Sequence, residues 1–121
     1  MRASFTIRGR MPSLNEYVDR ERANRFAGAK MKRAETERAG LEAVAQGVPR
    51  FPGPVAVTFT WVEANRRRDL DNVAFAKKFI LDGLVRAGVI DSDSPRHVVA
   101  LEDRFACDPA RPRIEVEVVS A

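Results

Sequence analysis

One segment restricts the possible folds more than any other: Val55-Ala56-Val57-Thr58-Phe59-Thr60-Trp61-Val62. In an extended chain Val55, Val57, Phe59 and Trp61 fall on one face, and Ala56, Thr58, Thr60 and Val62 fall on the other. β-branched and aromatic residues in this pattern read as a strand with both faces covered. Phe51-Pro52-Gly53-Pro54 supplies the turn that leads into it. A chain of 121 residues has room for one hydrophobic core, so a single domain, residues 1–121, must be built around this strand.

The remaining elements follow from periodicity. Over residues 2–8, Ala3, Phe5 and Ile7 alternate with Ser4, Thr6 and Arg8, the pattern of a half-buried strand. Residues 14–26 are polar and mixed, with Leu14, Tyr17 and Phe26 as anchors. Helix formers dominate from Lys30 to Ala45, where Ala34, Leu41 and Ala45 sit at roughly helical spacing, and Gly47 and Pro49 end the helix. A second helix is expected from Asn72 to Ala87. Gly88 stands at its left-handed cap, and Val73, Ala76, Ile80, Leu84 and Ala87 face the sheet. His97–Phe105 and Arg113–Val119 read as strands; in the second, Ile114, Val116 and Val118 alternate with Glu115 and Glu117. The order β-α-β-α-β-β predicts an α+β fold, a mixed sheet with helices packed on one side.

Composition removes several classes of function. Apolar residues make up 45% of the chain, which suits a globular protein, and no apolar run is long enough to span a bilayer. Met1–Arg10 alternates and lacks the apolar stretch of a secretory signal, so a soluble cytoplasmic protein with no membrane partner is expected. Cys107 is the only cysteine and His97 the only histidine. An internal disulfide, a Cys/His zinc site and a Ser-His-Asp triad are therefore all ruled out or hard to assemble. Any bound metal would be held by carboxylates, which select hard cations such as Mg²⁺. Residues 1–50 contain eleven Lys/Arg against six Asp/Glu, whereas residues 51–121 contain ten against eleven. The basic first half fits a polyanion such as nucleic acid, although charge alone does not separate that from a solvated arginine-rich surface.

The stretch with chemical content is Arg66-Arg67-Arg68-Asp69-Leu70-Asp71-Asn72, followed one helix later by Asp91-Ser92-Asp93. Carboxylates at i and i+2 of an extended segment project to the same side, and Asp71 also suits a helix N-terminus. A third acid returning after Gly88 would complete a group that is stable only around a cation. A divalent ion there would polarise a phosphodiester and acidify an attacking water. At 3.6 residues per turn Asp71, Lys78 and Asp82 share a helix face, which places a cation beside the acids to meet phosphate charge. Each part also has an ordinary reading. Asp-x-Asp occurs in caps and solvated loops, Lys78 and Asp82 make a surface i,i+4 pair, and the arginine run is a solvated face. The combination of a basic run abutting paired acids, with a third acid one helix later, is what points to phosphodiester chemistry.

The run Asp69-Leu70-Asp71-Asn72-Val73-Ala74-Phe75-Ala76-Lys77-Lys78-Phe79-Ile80-Leu81-Asp82-Gly83-Leu84 resembles the RusA-like crossover junction endodeoxyribonucleases, or Holliday junction resolvases. The likeness continues through Val85–Ile90 to Asp91-Ser92-Asp93. It includes Pro12-Ser13-Leu14-Asn15-Glu16-Tyr17 and the closing Pro112–Val118, and so spans most of the chain. The resemblance implies metal-binding aspartates at Asp69, Asp71 and Asp93, with Asp91 ranked below Asp93. It implies an active-site lysine at Lys78, counting back from Asp82, with Lys77 as the alternative; the segment from Asp71 to Asp82 is about one turn longer here than in the shortest relatives. It further implies Mg²⁺ (or Mn²⁺ in its place) and a homodimer with paired sites. Each site would nick one strand of a four-way junction or other branched DNA, in recombination and repair. Arg20, Arg22, Arg25, Lys30, Lys32 and Arg33 would then grip phosphates, with Arg67, Arg68 and Lys77 nearer the acids. Asn15 and Tyr17 either order the DNA-facing loop or serve as a turn and a core anchor. A non-catalytic branched-DNA-binding module and a flap nuclease of the same chemistry are the alternative readings.

Overall fold

The Val55–Val62 pattern forms the middle of a four-stranded sheet in the computed structural model, which describes residues 1–121. Along the chain the elements are β1 (Arg2–Arg8), α1 (Leu14–Ala23), α2 (Arg25–Ala45), β2 (Val55–Glu63), α3 (Leu70–Ala74), α4 (Lys77–Arg86), β3 (Val98–Cys107) and β4 (Arg113–Ser120). The sheet order is β1-β4-β2-β3. β4 runs antiparallel to both β1 and β2, while β3 runs parallel to β2, so the sheet is mixed and the domain is α+β.

Register puts one apolar stripe on one face. Phe5 and Ile7 of β1 stand beside Val116 and Ile114 of β4, which stand beside Phe59 and Trp61 of β2. These side chains are buried against Val73, Ala76, Phe79, Ile80 and Leu84 of the helical layer. The other face of β2, expected to be covered, is buried only at Val62. Ala56, Thr58 and Thr60 remain partly exposed beside Ser4, Thr6, Glu115 and Glu117. Threonine tolerates either environment, so the pattern alone does not tell a buried second face from a wet one.

Three departures from periodicity concern the helices. α1 forms within the segment read as mixed, because Ser13 and Glu16 make a reciprocal capping box. Ser13 Oγ accepts from the Glu16 amide at 3.2 Å and Glu16 Oε1 accepts from the Ser13 amide at 3.4 Å. Of its three expected anchors only Tyr17 packs inward; Leu14 and Phe26 are exposed.

In α2 the buried residues are Gly28, Thr36, Ala39, Gly40 and Ala43, while Ala34, Leu41 and Ala45 face outward. The cause is a close crossing with α4. A methyl placed on Gly83 would meet the Thr36 carbonyl oxygen at 2.7 Å, and one on Gly40 would meet the Gly83 carbonyl oxygen at 3.0 Å. Only small residues fit between the two backbones, which turns the bulky ones away.

The expected helix 72–87 begins earlier, at Leu70, and is divided at Phe75-Ala76. There the amides of Ala76, Lys78 and Phe79 bond three residues back, to Val73, Phe75 and Ala76. Each such step turns the chain by about 120° instead of 100°, so Asp71 leaves the line on which uniform spacing put it with Lys78 and Asp82. α4 does end as expected. Gly88 has φ +78°, Gly88 N donates to Val85 O at 3.0 Å, and Val89 N donates to Leu84 O at 2.9 Å.

Candidate functional site

Two segments far apart in sequence are locked together beside the acidic run. Arg68, with a side chain 14% exposed, donates to both oxygens of Glu63 at 2.7 and 2.8 Å. Its Nη1 also donates to the Met11 carbonyl at 3.0 Å and to Glu16 at 3.4 Å. The Asn72 Oδ1 accepts from the Asn15 amide at 2.9 Å. The Pro12–Tyr17 element is thereby a strut for the Asp69–Asn72 segment. Arg68 was expected to contact DNA and is instead consumed inside the protein, because its planar fork matches one carboxylate while still reaching a carbonyl. Arg68→Met is expected to destabilise the fold by about 2–4 kcal/mol, since it strands Glu63 partly buried. Urea unfolding would measure this, and a midpoint equal to wild type would show that the strut is dispensable.

Tyr17 takes the core-anchor role. Its ring lies 5.6 Å from that of Phe75 and 6.0 Å from that of Phe79, and burial, with Glu21 nearby, raises the pKa of its hydroxyl. Asn15 is exposed and contributes its backbone to the strut.

Asp69 caps α3 by position, without a side-chain hydrogen bond, and Asp71 lies in the first turn, where its Oδ1 accepts from the Asn72 amide at 2.9 Å. Both are exposed. Lys78 and Asp93, fifteen residues apart, do meet: Nζ donates to Asp93 Oδ2 at 2.8 Å and stands 3.1 Å from Asp82 Oδ1. Asp91 is drawn off by Arg50 at 2.9 Å. Lys77, the alternative active-site lysine and an expected DNA contact, points to the sheet instead. It pairs with Asp103, which also accepts from Trp61 Nε1 at 2.9 Å. Nothing in the sequence connects Asp103 to Lys77, because the pairing depends on β3 lying beside β2.

The donor set is all carboxylate, which suits a hard cation. Yet no three carboxylate, imidazole or thiol side chains stand together as a formed metal cage, and the Lys78 ammonium bridges Asp82 and Asp93. Lys78 holds the Asp93 carboxyl below the usual carboxylate range, and hydrogen bonds to Asp93 and then Asp82 raise the lysine pKa. The signs define a pH window. The depressed carboxyl contributes stability above the ordinary aspartate range and loses it as pH falls through its own pKa. The raised ammonium contributes below the ordinary lysine range and loses it as pH rises through its own pKa. Lys78→Ala is expected to return the Asp93 titration upward to the ordinary range, read by carboxyl ¹³C shifts; an unmoved midpoint would mean the pair does not form in solution.

Arg20, Arg22, Arg25, Lys30, Lys32 and Arg33 are all exposed on α1 and α2, and none has an acidic partner within 4.0 Å. Arg67 is exposed next to the acidic run. No helix is long and apolar enough to cross a membrane. A scan against protein-family models gives no match for this chain, and a search of curated proteins finds no significant relative.

Proposed function

We propose that this chain is a metal-dependent endonuclease of branched DNA that resolves four-way junctions as a homodimer, within the RusA-like family. The observation that carries the reading is the meeting of Lys78 with Asp93 at 2.8 Å, on the helix that follows the strut-held Asp69–Asn72 segment. Unpaired cations on α1 and α2 add a surface for phosphates, which fixes DNA in place without reading its sequence. A hard divalent cation held by Asp69, Asp71 and Asp93 would polarise the phosphodiester and acidify a water. Lys78 would meet the charge that develops on the phosphate. Arg68 and Asn72 keep the acidic segment in position.

Incubating the protein with a synthetic four-way junction and Mg²⁺ or Mn²⁺ tests the proposal; paired symmetric nicks are expected. A second reading, a non-catalytic module that binds branched DNA, is favoured by Lys78 neutralising Asp82 and Asp93 where no acidic trio is assembled. Junction binding without nicks on any junction sequence, together with no heat of Mg²⁺ or Mn²⁺ binding in calorimetry, would establish that module and end the enzyme reading. Nicks on flaps but not on junctions would reassign the substrate.

A further inference from the structure

The two edges of the sheet are treated differently. The outer backbone of β1 is occupied by side chains of α2 and of Gln46, which caps its C-terminus. Gln46 accepts from the Thr6 amide at 2.9 Å and donates to the Thr6 carbonyl at 2.8 Å, and Arg38 donates to the carbonyls of Arg8 and Arg10. No side chain bonds the backbone of β3 in the same way. This strand is ten residues long, contains no glycine or proline, and exposes Val99 (52%), Leu101 (47%) and Phe105 (37%). An open edge of this kind is a template for another strand.

The sequence of β3, Val98-Val99-Ala100-Leu101-Glu102-Asp103-Arg104-Phe105-Ala106-Cys107, specifies which strand fits. Pairing it antiparallel with itself about a two-fold axis at Asp103 sets Leu101 opposite Phe105 of a second copy, Ala100 opposite Ala106, and Glu102 opposite Arg104. Each of these pairs occurs twice, and all keep their side chains on matching faces. The two Asp103 residues meet on the axis, but each is already held by Lys77 and Trp61. Sliding the register by one step places Leu101 opposite Asp103 and Glu102 opposite Glu102, or Phe105 opposite Asp103 and Arg104 opposite Arg104. Both alternatives set charge against apolar surface and like against like.

We propose that β3 is the dimer interface, pairing with its own copy so that two four-stranded sheets become one continuous sheet. The interface rests on the edge strand alone and holds whether or not the protein cuts DNA. Sedimentation equilibrium without DNA is expected to give twice the chain mass of 13.5 kDa. Glu102→Arg and Arg104→Glu, each at an exposed position, should weaken the dimer about tenfold or more, because each creates two like-charge pairs. The combined E102R/R104E exchange should restore it. Ala100→Cys with Ala106→Cys, in a Cys107→Ser background, should cross-link between copies under a short thiol reagent. A monomer at every concentration overturns the interface. So does a dimer that tolerates both single reversals, or one that is dispersed only by Leu41→Glu on the exposed face of α2.

Discussion

Gly83→Val is expected to remove a large part of the chain's folding stability at room temperature. A Cβ on Gly83 would stand 2.7 Å from the Thr36 carbonyl oxygen, 2.9 Å from the Ala39 Cβ and 2.9 Å from the Gly40 amide nitrogen. Two of these three atoms belong to the α2 backbone, so no side-chain rotation makes room and the helices must separate. For Gly83→Ala, a gain of about 1 kcal/mol in helix propensity opposes an overpacking cost of about 1–3 kcal/mol, and a modest net loss is expected. Valine adds two more methyl groups at the same point and makes the loss about 4 kcal/mol or more, the range reached only by severe core defects. A small domain has roughly 5–15 kcal/mol in total. Urea unfolding followed by circular dichroism checks both variants against Gly53→Ala, where nothing lies within 4 Å. A Gly83→Val protein as stable as Gly53→Ala would mean that α2 and α4 do not cross this closely.

That crossing also explains which parts of the fold were legible in the sequence. The strands carried their own signal: Phe5 and Ile7, Val55 to Trp61, and Ile114 to Val118 alternate as they are buried. Helix α2 misled because large apolar residues ordinarily mark an inward face. Here the inward face is written in Thr36, Ala39, Gly40 and Ala43, and its meaning depends on Gly83, over forty residues away. The division of the second helix at Phe75-Ala76 has no glycine or proline to announce it. The capping box at Ser13 and Glu16, by contrast, was present as Ser-x-x-Glu and would have placed the start of α1.

The candidate site divides in the same way. Lys78 with Asp82 follows from a spacing of four on one helix, and Lys78 with Asp93 needs only a loop that returns along it. What spacing could not provide was competition for partners. Arg68 stands in a basic run that reads as a DNA contact, and its alternatives, Glu63, Glu16 and the Met11 carbonyl, come together only in the folded chain. Spacing ranks Lys78 ahead of Lys77, but the partner that occupies Lys77 appears only when β3 brings Asp103 beside it.

Under the endonuclease proposal, Asp71→Asn is expected to abolish junction cutting and to leave the fold and the junction affinity intact or stronger. Asp71 is exposed, and its one hydrogen bond accepts from the Asn72 amide, which an asparagine Oδ1 can also do. Asparagine also serves well near a helix start, so the change in stability stays within about 1 kcal/mol. The negative charge is what disappears. If that charge helps hold a cation for hydrolysis, nicking falls to background; if it also repels phosphates, binding tightens once it is gone. Lys78→Ala provides the contrast, with a loss of about 100–1000-fold in the cutting rate, the scale seen when one group that stabilises developing charge is removed. The measurements are single-turnover cleavage and junction affinity at matched salt. Wild-type cutting by the Asp71→Asn protein would remove Asp71 from the metal set. Loss of binding at unchanged thermal stability would make it a support for the DNA grip, because a carboxylate that merely faces phosphate cannot strengthen the complex by being charged.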